Sequence, residues 1–163
     1  MASLEMISNS AERTRRVGMK LGEIAMAGDV ILLVGELGAG KTCLTQGIAQ
    51  GLGIDDYVVS PTFMLLREYY GRLPLYHIDC YRLDGIEEVA DLGIDDYLYG
   101  NGVCVVEWAD RVLEAFPEEH LLIEMQHRAP SKRRLVFFPK GTRYVELLSK
   151  AKLFAKAVVE NGQ

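Results

Sequence analysis

The segment Gly35-Glu36-Leu37-Gly38-Ala39-Gly40-Lys41-Thr42 limits what this chain can fold into more than any other feature of its sequence. It fits the pattern G-x-x-x-x-G-K-[ST] at every fixed position, and a chance match is expected on the order of once in a few hundred such chains. Glycines let the backbone approach a phosphate closely, and successive N–H groups then converge on one anion. The segment predicts a nucleotide-phosphate site between a strand and a helix.

The residues on either side of this segment meet that requirement. Residues 30–34 are a continuous apolar run rich in β-branched side chains, the pattern of a strand covered on both faces. Residues 42–52 predict a helix, whose N-terminus adds its positive dipole end at the same point. Lys41 would supply a charge to the outer phosphates, and the Thr42 hydroxyl is placed to bind Mg²⁺.

Two acidic residues end other predicted strands. Glu107 follows the apolar run 103–106, and Asp79 follows residues 75–78. Carboxylates at neighbouring strand ends can hold Mg²⁺ and orient an attacking water, so both are candidate site residues. His77 lies two residues before Asp79, a spacing that could bind a metal. No third ligand is indicated, and we therefore predict a hydrogen-bonded histidine.

Thr62, in the sequence Ser60-Pro61-Thr62-Phe63, has two interpretations. A threonine in a loop after the phosphate-binding helix can close over the γ-phosphate, as in nucleotide switches. The same residues could instead form the entry turn of the next strand, with Pro61 fixing its angle. The spacing favours neither.

The rest of the chain first alternates helices with buried strands and later favours hairpins. Its 163 residues fit a single domain spanning 1–163. A helix is predicted after Asn9, with Glu12 three residues on as in a capping box and Gly28 as its stop. The other predicted elements are strands at 63–70 and 75–79 joined by a turn at 71–74, an acidic helix at 86–92, a hairpin of strands 120–126 and 134–138, and a helix at 144–159. This order predicts an α/β sandwich with a mixed sheet.

Composition and charge exclude several classes of protein. Apolar residues make up 49% and charged residues 25% of the chain, as in a folded globular domain. The net charge of −5 argues against a general nucleic-acid binder. Residues 84–119 nevertheless hold eleven acids and one arginine, whereas residues 125–145 hold six basic residues and no acid. The asymmetry suggests one face for a basic partner and one for phosphate, although two solvated faces explain it equally well.

Targeting and redox features favour the cytoplasm. The apolar runs are far shorter than the roughly 18 residues needed to cross a bilayer, so no membrane association is expected. The first ten residues contain Glu5 and no basic residue, so no signal peptide is indicated. Cys43, Cys80 and Cys104 are odd in number and include no C-x-x-C pair, and we predict free thiols.

ATP is favoured over GTP because the chain has neither N-K-x-D nor D-x-x-G. Two alternatives to an ATPase stay open. A small-molecule kinase would use residues 128–134 as an arginine-rich lid over the transferred phosphate. A nucleotide-sensing interaction module would bind ATP and barely hydrolyse it.

Five segments, taken together and in order, resemble one family. They are GELGAGKT at 35–42, SPTF at 60–63, HIDCYRL at 77–83, LGIDDY at 92–97 and VVEWA at 105–109. In this combination the chain is similar to the TsaE (YjeE) family, the small ATPase of bacterial tRNA threonylcarbamoyladenosine synthesis. The resemblance implies a P-loop NTPase-like three-layer sandwich with a mixed parallel and antiparallel sheet. It also implies Mg²⁺-dependent ATP hydrolysis that resets a TsaB–TsaD complex, which modifies adenosine 37 of tRNA, with tRNA contacted indirectly or weakly.

The resemblance also implies roles for individual residues. Thr42 and Glu107 would hold Mg²⁺, Asp79 would lie beside the attacking water, and Thr62 would be the switch-loop hydroxyl. Trp108 matches the family's Glu-Trp pair, although by its chemistry it is as well suited to packing. The residues expected to bind the nucleotide are Thr14 near the base, Leu37, Gly38, Ala39, Gly40, Lys41, Thr42 and Cys43 at the phosphates, and either Arg133 or Arg128 from the basic segment.

Overall fold

The computed structural model of the chain describes residues 3–36, 40–59, 66–80, 93–109 and 113–153. The strands in these ranges are β1 (Leu4–Ser8), β2 (Val30–Gly35), β3 (Leu66–Tyr70), β4 (Pro74–Asp79), β5 (Val103–Glu107), β6 (His120–Ala129) and β7 (Lys132–Lys140). The helices are α1 (Ala11–Ile24), α2 (Lys41–Gly51), α3 (Asp95–Leu98) and α4 (Thr142–Ala151), with a 3₁₀ turn at Leu113–Ala115.

The described strands form one seven-stranded sheet in the order β1-β7-β6-β2-β5-β4-β3. The four central strands β6, β2, β5 and β4 are parallel, and antiparallel pairs flank them on both sides. The β2 sequence VILLVG and the β5 sequence VCVVE are buried almost throughout, as expected of parallel strands covered on both faces. The predicted α/β fold with a mixed sheet is confirmed.

Two apolar clusters lie on opposite faces of the sheet. The larger one joins α1, α2 and α4 to alternate residues of the strands, with Leu21, Ile48 and Leu147 fully buried. The smaller one joins α3 and the segment after the 3₁₀ turn to the other strand residues, with Leu98 and Phe116 buried. The sheet is therefore the middle of three layers, and its parallel strands direct their carboxyl ends toward the N-terminus of α2.

Helices α1 and α2 cross in backbone contact. A Cβ at Gly18 would lie 2.3 Å from the Leu44 carbonyl oxygen, and a Cβ at Gly22 would lie 2.2 Å from the Ile48 carbonyl oxygen. A Cβ at Gly47 would lie 2.0 Å from the Arg15 carbonyl oxygen. Such distances exclude any side chain, so these glycines fix how closely the N-terminal helix approaches the helix that follows the glycine-rich segment.

Several predicted elements are confirmed with shifted ends. The first hairpin is formed by β3 and β4, and the second, formed by β6 and β7, is longer than predicted at both strands. The three thiols are free as predicted, with Cys80 and Cys104 buried and Cys43 half-buried. The predicted helix at 86–92 and residues 60–65, with Thr62, lie outside the described residues. Among the helices of the described ranges, none is both long and apolar enough to cross a bilayer.

Both ends of the first helix were predicted wrongly. The N-cap is Ser10 rather than Asn9, because the Ser10 side chain accepts a hydrogen bond from the Arg13 N–H. The helix ends at Ile24, four residues before Gly28. Arg72, from the turn between β3 and β4, donates to carbonyl oxygens at this end of the helix, at 2.7 Å for Gly22. A side chain distant in sequence thus provides hydrogen bonds to carbonyl groups that the end of the helix leaves without partners.

The last helix and the first strand also depart from the sequence-based prediction. Helix α4 ends at Ala151 and does not continue through Lys152 as predicted, because Lys152 adopts a left-handed conformation with φ 54°. Residues 154–159 of the predicted helix lie outside the described residues. Strand β1 was missed. It pairs antiparallel with β7 at the edge of the sheet. Its apolar side chains do not alternate strictly, because Ile7 follows Met6 and is exposed, and the pattern of a half-buried strand is therefore broken.

Candidate functional site

The glycine-rich segment leaves the sheet at Gly35 and enters α2 at Lys41. Gly35 has φ +146°, and a Cβ there would lie 2.2 Å from the Met125 carbonyl oxygen of β6. Gly40 is the N-cap of α2 and has φ +101°, a conformation that side chains with a Cβ rarely adopt. Two fixed glycines of the motif therefore meet steric requirements of this turn. Leu37, Gly38 and Ala39 lie outside the described residues.

The Lys41 ammonium lies at the carboxyl end of β2. Its Nζ donates to the carbonyl oxygens of Gly35 and Glu36, each at 2.9 Å. It also lies 4.0 Å from the centroid of the Trp108 ring, within the range of a cation–π contact. Lys41 is 5% exposed, so its charge is held inside the site by carbonyl dipoles and an aromatic face.

Asp79 and Glu107 are neighbours, as the sequence predicted. They are register partners at the ends of the parallel strands β4 and β5, and both are buried. Glu107 is also the register partner of Leu33 in β2. The next residue, Trp108, donates its backbone N–H to the Leu33 carbonyl oxygen at 3.0 Å. The acidic pair and Lys41 therefore lie together at the carboxyl ends of the parallel strands.

His77 forms the hydrogen bond that the sequence predicted. Its Nε2 lies 2.6 Å from Oε2 of Glu107, and both side chains are buried. Since an ionised carboxylate can only accept, the bond assigns the Nε2 proton to the histidine. No group of three or more potential His, Cys, Asp or Glu ligands occurs within the described residues.

Trp108 is held in a conformation that is uncommon for its residue type. Its φ is +62°, which for a bulky residue requires support from the surrounding structure. The ring packs on Lys41 and against the smaller apolar cluster. The packing interpretation of Trp108 is thereby supported, and a contact with adenine stays a prediction.

The structure brings Arg133 to the glycine-rich turn. Its Nε lies 3.8 Å from where a Cβ on Gly40 would be. That Nε is buried and has no hydrogen-bond partner in the described part of the chain, whereas Nη1 donates to three backbone oxygens around the tip of the β6–β7 hairpin. Residues 128–134 therefore form a hairpin tip, which disfavours their predicted use as a kinase lid.

Two other predicted nucleotide contacts, Thr14 in α1 and Cys43 in α2, have hydrogen-bond partners at or just before the start of α1. The Thr14 hydroxyl is buried, 2.7 Å from the Ser8 hydroxyl, and donates to the Ser10 carbonyl oxygen at 3.2 Å. Cys43 Sγ donates to the Ala11 carbonyl oxygen at 3.1 Å. Burial raises the pKa of the Cys43 thiol, an effect that nearby arginines partly oppose. Both side chains have protein partners, and their contact with nucleotide stays a prediction.

Glu36 has a role that the sequence did not reveal. Its Oε1 accepts the backbone N–H of His127 at 2.9 Å, which ties the glycine-rich turn to β6. Glu36 occupies a variable position of the motif, so its residue type carried no signal. The hairpin that holds Arg133 and the turn that holds Lys41 are thus joined by this side chain.

The oxygen ligands at the carboxyl ends of the parallel strands suit Mg²⁺. Thr42 offers a hydroxyl in the first turn of α2, and Asp79 and Glu107 offer carboxylates at adjacent strand ends. Mg²⁺ prefers oxygen ligands and is usually bound through one or two protein groups together with substrate phosphates and water. The absence of a larger ligand cluster in the described ranges is compatible with that mode of binding.

The mixed sheet, the glycine-rich turn from β2 into α2 and the carboxylates at the strand ends together define the class of this chain as an α/β protein with a central mixed sheet. The sequence profile described as "Threonylcarbamoyl adenosine biosynthesis protein TsaE" matches residues 8–135. The chain belongs to the TsaE family, which confirms the family predicted from the five ordered segments.

Individual relatives agree with this assignment. The tRNA threonylcarbamoyladenosine biosynthesis protein TsaE of Treponema pallidum (strain Nichols) is 44% identical over 132 residues, 81% of this chain and 98% of that protein. The protein of the same name from Bacillus subtilis (strain 168) is 43% identical over 145 residues, 88% of this chain and 90% of that protein. The crystal structure of Bacillus subtilis YdiB matches with a TM-score of 0.82 and 38% identity, covering 93% of this chain and 96% of that chain.

Proposed function

We propose that this chain is the ATP-binding and ATP-hydrolysing subunit required for threonylcarbamoyl modification of adenosine 37 in tRNA, acting on a complex of TsaB and TsaD. The names of its relatives support the role in tRNA modification. The observation that supports ATP hydrolysis is that Lys41, Asp79 and Glu107 lie together at the carboxyl ends of the parallel strands. A role in tRNA modification also favours the cytoplasm.

In this proposal the phosphates bind to the backbone N–H groups of residues 37–43 at the start of α2. Lys41 exchanges the carbonyl oxygens of Gly35 and Glu36 for β- and γ-phosphate oxygens, which are stronger, charged acceptors. Mg²⁺, bound by Thr42 and by Glu107 directly or through water, would neutralise charge that develops on the phosphates.

The remaining groups act on water and on the nucleotide. Asp79 or Glu107 accepts a hydrogen bond from the attacking water and so aligns it with the γ-phosphate. Arg133 donates to the nucleotide through Nε, which has no hydrogen-bond partner among the described residues. Thr62 supplies a hydroxyl that closes over the γ-phosphate.

We expect slow turnover by the isolated chain and faster turnover in complex with TsaB and TsaD. A transition state for phosphoryl transfer gains most from an arginine that reaches the γ-phosphate. Arg133 and Arg134 are both held by hydrogen bonds of the β6–β7 hairpin and β1. A partner that supplied or repositioned an arginine would therefore raise the rate, and tRNA need be contacted only indirectly or weakly.

The test is release of phosphate from Mg-ATP by the chain alone and with TsaB and TsaD. We expect the partners to stimulate release and Glu107→Gln to lower it on the order of 10²-fold while nucleotide binding is retained. Glu124→Gln, on the neighbouring strand β6, is the matched control and should keep wild-type turnover. A phosphorylated acceptor would instead indicate a kinase, and nucleotide binding without phosphate release under any condition would indicate a sensor.

A further inference from the structure

We infer that His77 is a positioning residue for Glu107, fixing the carboxylate in the orientation that Mg²⁺–nucleotide binding requires. The inference rests on the proposed function, because it assigns Glu107 to the magnesium site. It concerns a side chain that touches neither nucleotide nor metal. Its effect would be transmitted through one hydrogen bond.

The geometry of this bond is that of a tight buried contact. Nε2 of His77 lies 2.6 Å from Oε2 of Glu107, and the side chains are 0% and 3% exposed. His77 and Glu107 belong to the adjacent parallel strands β4 and β5, so both backbones are fixed by the sheet. Glu107 has three rotatable side-chain bonds, and a donor on a neighbouring strand restricts them without occupying the site itself.

Burial of His77 is not explained by stability alone. Its Nδ1 is buried and has no hydrogen-bond partner among the described residues, and such a polar atom costs on the order of 1–3 kcal/mol. The neighbouring position Leu75 shows that the same face of β4 accepts an apolar side chain. By contrast His120, also buried, donates through Nδ1 to the Pro117 carbonyl oxygen at 2.8 Å. The Glu107 contact is therefore what the histidine contributes at position 77.

Because of this bond, the two carboxylate oxygens of Glu107 have different roles. Oε2 is engaged by His77, and this bond does not use Oε1 of Glu107. Oε1 is thus the oxygen left for the cation or for its water. Groups that hold a metal-site carboxylate in this way typically change metal affinity or activity 10–100-fold when they are removed.

Substitutions that place a side-chain N–H donor at different distances from the backbone test this assignment. In His77→Gln the amide nitrogen can take the place of Nε2, whereas in His77→Asn it can reach only the place of Nδ1. His77→Leu removes the donor altogether. His120→Leu removes a buried histidine from the opposite end of the parallel strands and serves as the matched control.

The measurement is the affinity of each protein–ADP complex for Mn²⁺, determined by electron paramagnetic resonance, with thermal unfolding recorded beside it. We expect His77→Leu and His77→Asn to weaken Mn²⁺ binding at least about tenfold. His77→Gln should stay within about threefold of wild type, as should His120→Leu, and ADP affinity measured without metal should be unchanged in all of them. If His77→Leu does not fold, the comparison of Gln with Asn decides the question alone.

Equal Mn²⁺ affinity in wild type, His77→Gln and His77→Asn would overturn the inference and leave the proposed function intact. Weaker binding that merely follows loss of thermal stability, including in His120→Leu, would also overturn it. Failure of the wild-type protein to bind ADP and Mn²⁺ together would instead contradict the proposed function. The three results are distinguishable in one set of titrations.

Discussion

The two ends of the parallel strands bury polar and charged groups in different ways. At the amino end, Asp29 accepts hydrogen bonds from Arg143 at 2.9 and 2.6 Å and from the Met26 N–H at 2.8 Å. Tyr144 accepts the backbone N–H of Val30 at 2.9 Å. At the carboxyl end, Nδ1 of His77 and Nε of Arg133 are buried without partners in the described part of the chain.

This difference separates groups kept for stability from groups kept for binding. A buried ion pair with every lone pair satisfied adds little besides a fixed geometry, but breaking it is costly. A buried polar group without a partner destabilises the fold and is retained where a ligand or a functional neighbour uses it. The six residues of β2 join the two ends, at a distance of roughly 20 Å, so each end can be altered with little effect on the other.

The largest effect on stability is expected from Asp29→Ala. The substitution removes the buried carboxylate from Arg143, whose side chain is only 22% exposed, and leaves it the exposed Glu146 at 3.7 Å. It also removes the acceptor of the Met26 N–H. We expect a loss of about 3–4 kcal/mol in the free energy of unfolding, near the lower part of the range for a broken buried pair. Urea unfolding measures it. Nucleotide affinity of the folded variant should be unchanged, and a drop in that affinity would contradict the separation of the two ends.

Lys41→Ala is expected to lower nucleotide affinity more than stability, the opposite of Asp29→Ala. Loss of the ammonium removes a charged donor from the phosphates, and nucleotide affinity should fall on the order of 100-fold, about 2.7 kcal/mol. Isothermal titration calorimetry with ADP and Mg²⁺ measures this change. The free energy of unfolding should change less than in Asp29→Ala, because the carbonyl oxygens of Gly35 and Glu36 can be hydrated once the lysine is removed. A larger loss of stability than of affinity would show that Lys41 serves the fold.

Features with a local signature could be predicted from the sequence. The glycine-rich turn, the buried strands β2 and β5 and the acids at the strand ends each depend on neighbouring residues, so pattern and spacing were sufficient. The hydrogen bond of His77 followed from the lack of a third ligand. Its partner Glu107, 30 residues away, could not be specified because strand register is set by the whole sheet.

Features that depend on distant contacts were missed or misplaced. The end of α1 is completed by Arg72, 50 residues beyond Gly22, and no property of the helix sequence indicates it. Strand β1 exists because β7 offers an edge for pairing. Glu36 joins the glycine-rich turn to β6 through a backbone N–H 91 residues away. In each case tertiary contacts override the local preference of the chain.

The smallest effect on stability is expected at another charge pair, Glu5 with Arg134, on the sheet edge formed by β1 and β7. The hydrogen bond from Arg134 lowers the pKa of Glu5, so the folded protein binds this proton more weakly than the unfolded chain. The contribution of the pair to stability is therefore complete above the unfolded-state pKa of about 4.3, and it is lost as the pH falls through the lower folded-state pKa. Because both side chains are partly exposed, solvent and salt screen the pair.

Glu5→Gln should accordingly destabilise the protein near pH 7 by a small fraction of the Asp29→Ala effect. Urea unfolding of wild type and variant at neutral and at acidic pH measures the difference, which should shrink toward zero as the carboxyl of the wild type is protonated. Added salt near neutral pH should shrink it as well, whereas the Asp29→Ala effect should resist salt because Asp29 is buried. A Glu5→Gln effect as large as that of Asp29→Ala, or one that persists in acid, would mean that burial does not set the difference between these charge pairs.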